Sequence, residues 1–229
     1  MSKIEIIPAI LPRDFTELED KISQVSGLVK TVQIDVCDGQ LTPQASWPYR
    51  KPDESFKKLI NEEEGLPFWK ELNFEIDLMA NHPAALVQDW ISAGAQRIII
   101  HYEADKKEVK SVMAALEKIN GVVETGLALD IETPNEVIND FKNKIQFIQC
   151  MGIDNIGFQG QNFDTKVIAK IKSLKAMYPD LPVSVDGGVN LDNASDLIAA
   201  GATRLVVGSA IFESDNIYET IQKFKRFSR

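Results

Sequence analysis

The sequence predicts an α/β protein with the fold of a (β/α)8 TIM barrel, and two observations lead to that prediction. Short β-branched runs alternate with amphipathic stretches eight times along the 229 residues, whereas an open doubly wound sheet usually has fewer strands. Most of these runs are nearly continuously apolar, as expected for strands buried on both faces. No linker rich in Pro, Gly or Ser divides the chain, so one domain is predicted over residues 1–229.

The strands and helices can be assigned in order from their apolar periodicity. Asp14, followed by Glu17, resembles a capping box before the first helix. The strand candidates are Glu5–Ala9, Thr31–Val36, Asn73–Met79, Arg97–His101, Glu124–Leu129, Phe147–Met151, Val183–Val185 and Arg204–Val207. Apolar stripes at helical spacing lie between them, at Phe15, Leu18, Ile22 and Val25, at Leu86, Val87, Trp90 and Ile91, at Val109, Val112, Met113 and Leu116, and at Val167, Ile168, Ile171 and Leu174.

The charge and composition exclude several kinds of partner. The formal net charge is −9 and no cluster of Lys or Arg stands out, which argues against nucleic acid. No apolar run reaches a membrane-spanning length, so no membrane partner is expected. Two cysteines cannot form a disulfide framework, and no signal-peptide pattern follows Met1. A cytoplasmic protein with reduced thiols is therefore expected.

Glycine-rich turns follow the sixth, seventh and eighth strands, where barrels commonly bind phosphate. Glycine lets the backbone approach an anion closely, and a helix that begins at Ala210 would offer its amides. The alternative is that the fold alone requires these tight turns. Because they converge on one rim, we predict a small phosphorylated ligand bound by Gly157, Gly160, Gly187, Gly188, Gly208 and Ser209.

Three carboxylates end strands that are otherwise mostly apolar: Asp35, Asp77 and Asp186. Such a group near the barrel axis is costly unless it is paired, bound to a metal or protonated. Asp35 and Asp186 could act as general acid and base on opposite sides of a bound sugar; the alternative is helix capping or solvation at the rim. His101 ends the fourth strand, where it could line the pocket or make a structural hydrogen bond.

A long irregular stretch, from about Cys37 to Asp53, follows the second strand. Loops of this length in compact domains are often lids or binding loops. Trp47 lies within it and is a candidate to cover a ligand.

Taken together, these motifs resemble the ribulose-phosphate 3-epimerase family along nearly the whole chain. Any one segment is weak evidence, whereas eight in the right order indicate common ancestry. The segments are Ile7-Pro8-Ala9-Ile10-Leu11, Ile34-Asp35-Val36-Cys37-Asp38-Gly39, Ile76-Asp77-Leu78-Met79, His101-Tyr102-Glu103-Ala104, Gly126-Leu127-Ala128-Leu129, Gly157-Phe158-Gln159-Gly160-Gln161, Val185-Asp186-Gly187-Gly188-Val189 and Val207-Gly208-Ser209-Ala210-Ile211-Phe212.

The resemblance implies an isomerase that inverts C3 of a ketose phosphate such as ribulose 5-phosphate. In the family one aspartate removes the C3 proton and another returns a proton to the opposite face; these map onto Asp35 and Asp186. A divalent metal held by two histidines and both aspartates stabilises the enediolate. Here Gln33 and Asp77 occupy the histidine positions, and Ala9 replaces a serine. Family members often form homo-oligomers, although no pattern in this sequence specifies one.

Two versions of the reaction centre follow from these replacements. Loss of both imidazoles removes the ligands that favour Zn²⁺, and an oxygen set of Gln33, Asp35, Asp77 and Asp186 suits Mg²⁺, Mn²⁺ or Ca²⁺. Mg²⁺, Mn²⁺ and Zn²⁺ are the metals to try as cofactors. In a metal-free site the three carboxylates would repel one another and share a proton, and a neutral acid could donate a hydrogen bond to the enediolate.

Three functions remain open on the sequence alone. The first is the epimerase-like isomerase. The second is a non-catalytic sugar-phosphate binding or regulatory protein that has lost the metal site. The third is a decarboxylase or aldolase of sugar phosphates, against which the absence of a Lys beside the strand-end carboxylates counts, because Lys30 precedes the second strand.

Overall fold

The computed structural model describes residues 4–227 and places them in a closed barrel of eight parallel strands, each paired with the next and β8 with β1. The predicted fold class is confirmed, and β1, β2 and β7 each end one residue later than expected. Residues 1–3 and 228–229 of the predicted domain lie outside the described residues. The strands are β1 Glu5–Ile10, β2 Thr31–Cys37, β3 Asn73–Met79, β4 Arg97–His101, β5 Glu124–Leu129, β6 Phe147–Met151, β7 Val183–Asp186 and β8 Arg204–Val207.

Helices follow the strands around the barrel with one exception. After β5 the chain forms a 3₁₀ helix, Asn135–Asp140, instead of an α-helix. Pro134 precedes it, and short polar side chains such as Asn135 and Asp140 compete for backbone hydrogen bonds, which disfavours a regular helix. The expectation of a helix after every strand holds here only in this shortened form. The α-helices are α1 Phe15–Val25, α2 Glu54–Ile60, α3 Pro83–Ser92, α4 Ala104–Lys107, α5 Val109–Ile119, α6 Lys166–Met177, α7 Ala194–Ala200, α8 Ser209–Phe212 and α9 Ile217–Arg226.

The first helix begins as its sequence predicts. Asp14 is the N-cap, and its carboxylate accepts the backbone N–H of Glu17 at 3.0 Å. Leu18, Ile22 and Val25 are fully buried on one side of α1. No helix within residues 4–227 is long and apolar enough to cross a membrane.

Strand register decides which side chains face the barrel axis. Alternate residues of a strand point to opposite faces, so Gln33 and Asp35 of β2 share one face while Ile34 packs outward into the main apolar core. Asp35 is in register with Asp77 of β3. Since all eight strands are parallel, their carboxyl ends meet at one end of the barrel, and the inward polar side chains meet there too.

A ring of ion pairs closes the opposite, amino end of the barrel. The Arg97 guanidinium lies 2.6 Å from a Glu124 carboxylate oxygen and 3.1 Å from a Glu5 oxygen. Arg204 contacts the same two carboxylates and stacks on the Phe147 ring, 4.1 Å from its centroid. These four charged residues, Glu5, Arg97, Glu124 and Arg204, come from β1, β4, β5 and β8 and constitute the ionic ring.

Trp47 does not cover a ligand, contrary to the expectation from its loop. Its side chain is only 1% exposed and its ring centroid lies 5.4 to 5.8 Å from those of Phe15, Phe56 and Trp90. The indole N–H donates to the hydroxyl of Ser55. The long loop therefore folds back into the apolar layer between barrel and helices.

Candidate active site

A pocket opens at the carboxyl ends of the strands and encloses about 560 Å³, part of it open to solvent. Apart from Gln33, which is buried beneath the floor, every residue predicted to bind phosphate, to transfer protons or to hold a metal lines it. Those residues are Asp35, Asp77, Gly157, Gly160, Asp186, Gly187, Gly188, Gly208 and Ser209, joined by Ala9, Met79, Met151, Gln159, Gln161 and others.

Gly188 lines one wall of the pocket, at a position where a larger residue would not fit. Its φ of +68° lies in the left-handed region, and a Cβ would stand 2.7 Å from the backbone Cα of Phe163. A Cβ added at Gly157, whose φ is also positive, would stand equally close to the Thr42 side chain, 2.7 Å from its Cβ. Close packing alone therefore requires glycine at these two positions, whether or not they contact a ligand.

The rim offers backbone amides and no basic side chain. Gly208 precedes the four-residue helix α8, which begins at Ser209, and Gly160 and Gly188 also line this part of the pocket. Among the described residues that line the pocket there is no Lys or Arg. An anion bound here would depend on N–H and hydroxyl donors.

The floor of the pocket brings the three predicted carboxylates together. Asp35, Asp77 and Asp186 each place an oxygen within 4.8 Å of the others. The Gln33 amide nitrogen donates to Asp35 and to Asp186, each at 2.7 Å. Asp35 and Asp186, which the sequence placed on opposite sides of a sugar, are thus joined through one amide at the base of the site.

Burial and mutual repulsion favour the protonated forms of this cluster. Burial first, and then the charges of Asp186 and Asp77, raise the pKa of Asp35 well above its ordinary value. Burial and the charge of Asp77 raise the pKa of Asp186 to about 7. Both shifts favour retention of a proton by the pair, an arrangement in which one member can donate while the other accepts.

His101 lies behind the carboxylates rather than in the pocket wall. Its side chain is fully buried, and Nε2 lies 2.9 Å from an Asp77 oxygen. Burial alone would lower its pKa, but the charge of Asp77 and the hydrogen bond to it raise the pKa of His101 to about 9. Of the two roles open from the sequence, the structure supports the hydrogen-bonding one.

Sequence reasoning missed one polar residue of this cluster, Gln149. Its amide nitrogen lies 3.2 Å from Asp77 and 3.3 Å from Asp186. The available signal was a glutamine at the middle of an otherwise apolar strand, since Phe147 and Met151 flank it on the same face of β6. A fully buried amide needs partners inside the barrel.

The residues that would hold a divalent metal fit it only in part. The oxygens of Asp35, Asp77 and Asp186 are close enough to share an ion, as are side-chain atoms of a second group, His101, Glu103 and Asp130. These acidic and histidine groups could bind a metal. The fourth ligand expected from the sequence, Gln33, does not direct an oxygen toward this group.

Gln33 presents the wrong atom for coordination. Its amide nitrogen faces Asp35 and Asp186, while its oxygen is buried with no hydrogen-bond partner among the described residues. Turning the amide would set its oxygen against two carboxylates and move the NH₂ group into that unpartnered place. As arranged, the four side chains do not fit a divalent cation.

The chain is similar to known proteins over nearly its full length. The model of the "Ribulose-phosphate 3 epimerase family" matches residues 5–212. The ribulose-phosphate 3-epimerase of Schizosaccharomyces pombe is 30% identical over 96% of this chain and 92% of its own length. That of Bacillus subtilis is 30% identical over 97% and 98%.

Solved structures of similar shape extend beyond these enzymes. KGPDC from Streptococcus mutans matches with a TM-score of 0.68 at 15% identity, covering 98% of this chain and 97% of that one. Orotidine 5'-phosphate decarboxylase from Pyrococcus horikoshii matches with a TM-score of 0.65 at 15% identity, over 98% and 99%. At such identities the likeness shows the barrel fold alone. The family match and the two 30% identical relatives show that this chain belongs to the ribulose-phosphate 3-epimerase family.

Proposed function

We propose that this protein epimerises C3 of a ketose phosphate such as ribulose 5-phosphate. The observation that carries the proposal is the joining of Asp35 and Asp186 through one amide on the floor of the glycine-rimmed pocket. Two carboxyl groups and the glycine-rich rim proposed to bind phosphate thus line the same pocket. The names of the family relatives support the same chemistry.

The two aspartates would divide the proton transfers between them. The ionised member removes the C3 proton, and the electron pair left behind forms an enediolate with the C2 carbonyl. The protonated member then delivers its proton to the other face of C3, which inverts that carbon and leaves the proton on its partner. The raised pKa values of Asp35 and Asp186 support this, because they keep one proton on the pair near neutral pH.

The enediolate would be stabilised by hydrogen bonding from the protonated carboxyl group. A buried neutral acid donates a strong hydrogen bond to a developing oxyanion. A divalent metal would supply Lewis-acid stabilisation, but no step is assigned to one because Gln33 offers N–H groups to the carboxylates.

The phosphate would lie at the other end of the pocket, against Gly187, Gly188, Gly208 and Ser209. Backbone amides and the Ser209 hydroxyl would bind it without a basic side chain. The same lack of Lys or Arg among the described lining residues disfavours a decarboxylase or aldolase, whose carbanion needs a nearby cation.

Solvent exchange tests the proposal directly. Protein incubated in D₂O with ribulose 5-phosphate, and separately with other ketose phosphates, should introduce deuterium at C3 of substrate and product. Assays should be run after chelation and again with Mg²⁺, Mn²⁺ or Zn²⁺. Thermal stabilisation by a sugar phosphate with no exchange under any condition would instead identify a non-catalytic sugar-phosphate binding or regulatory protein.

A further inference from the structure

We propose that the Gln33 side-chain amide takes the place of a divalent cation, so that the carboxylate cluster is assembled without metal. The inference rests on the proposed function only in treating this cluster as the reaction centre. Gln33 is then a positioning residue, because it contacts Asp35 and Asp186 and does not line the pocket.

The Gln33 amide bridges Asp35 and Asp186, and this bridge connects distant parts of the barrel. Gln33 and Asp35 belong to β2, whereas Asp186 ends β7. One NH₂ group reaches both carboxylates at 2.7 Å, which is the short end of the range for N–H···O bonds. An amide has two N–H donors, so it can serve two acceptors at once.

The remaining carboxylate is held by two further nitrogen donors. Asp77 has one oxygen 2.9 Å from Nε2 of His101 and the other 3.2 Å from the amide of Gln149. Gln149 also reaches Asp186, at 3.3 Å. One oxygen of Asp35, one of Asp186 and both of Asp77 thus already accept N–H groups.

Burial makes these assignments costly to change. Gln33, Asp77, His101 and Gln149 are all fully buried. If Gln33 turned to offer its oxygen to a metal, the two short hydrogen bonds would be lost and its NH₂ would be left where the oxygen now has no partner among the described residues. The loss of two buried hydrogen bonds therefore opposes this rotation.

Direct metal binding is the first test. Chelator-treated full-length protein is titrated with MnCl₂ or ZnCl₂ by calorimetry, alongside the double variant Gln33→His/Asp77→His, which restores two imidazoles beside Asp35 and Asp186. The double variant should bind one ion per chain at least about tenfold more tightly than the wild type. Stoichiometric binding by the wild type that disappears in Asp186→Asn would overturn the inference.

An isosteric variant tests the bridge itself. Gln33→Glu keeps the shape of the side chain and replaces the donating NH₂ by an oxygen, which adds a fourth carboxylate group to the cluster. Its Tm should fall in chelator and recover when MnCl₂ is added, whereas the wild-type Tm should respond to neither. An unchanged Tm in chelator would show that the N–H groups do not hold the cluster. Should this variant fail to fold, the wild-type titration still decides.

These outcomes separate the inference from the proposed function. Metal titrations and Tm values need no turnover, so absence of deuterium exchange leaves them unaffected. Conversely, exchange that stops in chelator and returns with a metal would refute the metal-free site while supporting the epimerase.

Discussion

Nε2 of His101 lies 2.9 Å from a carboxylate oxygen of Asp77, and both side chains are fully buried. A buried charge is tolerated when it has a partner of opposite sign, and removing either partner leaves the other uncompensated. In this barrel the His101–Asp77 pair lies next to Asp35 and Asp186, so its charges also influence the pKa values of those two aspartates.

Replacing His101 by Gln should reduce the free energy of unfolding by about 3 kcal/mol near pH 6. The pKa of His101 rises from 6.5 to about 9 on folding, so its contribution is complete below pH 6.5 and is lost as the pH rises through 9. Urea denaturation of both proteins between pH 6 and 10 measures this. His82→Gln is the control, because the His82 side chain is 78% exposed. A pH-independent difference would contradict the assignment.

Replacing Asp186 by Asn should stabilise the protein in alkaline solution. The pKa of Asp186 is raised from 3.8 to about 7, so the contribution of this group to wild-type stability is most favourable below pH 4 and falls as the pH rises to 7. Above pH 7 the variant should gain roughly 2 kcal/mol, about 4–8 °C in Tm, and near pH 4 almost nothing. The exposed Asp180→Asn should show no such trend. Equal Tm values at pH 8 would argue against a strained carboxylate.

Replacing Asp35 by Asn should abolish most of the epimerase activity. The amide can still accept a hydrogen bond from Gln33 but cannot take a proton from C3. We expect kcat to fall by about 10²–10⁴-fold with KM nearly unchanged, measured by deuterium entry at C3. A variant that keeps a tenth or more of the wild-type kcat, with an unaltered fold by circular dichroism, would remove Asp35 from the mechanism.

Replacing Gly188 by Ala should weaken binding of a phosphorylated ligand. The new methyl group would meet the Phe163 backbone at 2.7 Å and displace the pocket wall. Gly27→Ala is a matched control away from the pocket, because its φ is also positive but nothing lies within 4 Å of a Cβ there; it should cost only about 1–2 kcal/mol in stability. Thermal shift with inorganic phosphate compares them. Equal phosphate responses would show that this wall does not bind the anion.

Apolar periodicity was sufficient to locate every strand to within one residue. The outward face of each strand packs on helices, so the strand can be recognised from the apolar residues of its own segment. The rule that barrel sites form at carboxyl strand ends then identified Asp35, Asp186 and the glycine rim without any contact information.

The cluster beneath the pocket could not be predicted in the same way. Whether Gln33 turns its nitrogen or its oxygen toward Asp186 depends on partners from β6 and β7, more than a hundred residues away in the chain. Trp47 was misjudged for a related reason, since the aromatic side chains that bury it come from three separate segments. No local sequence pattern predicts contacts between segments that are so far apart in the chain.

The ionic ring at the amino end has an evolutionary consequence. Glu5, Arg97, Glu124 and Arg204 join four strands at the end remote from Asp35 and Asp186. The ion pairs at the amino end therefore do not involve the side chains at positions 33 and 77. Substitutions at those two positions can therefore change the chemistry of the carboxyl end while these ion pairs stay in place.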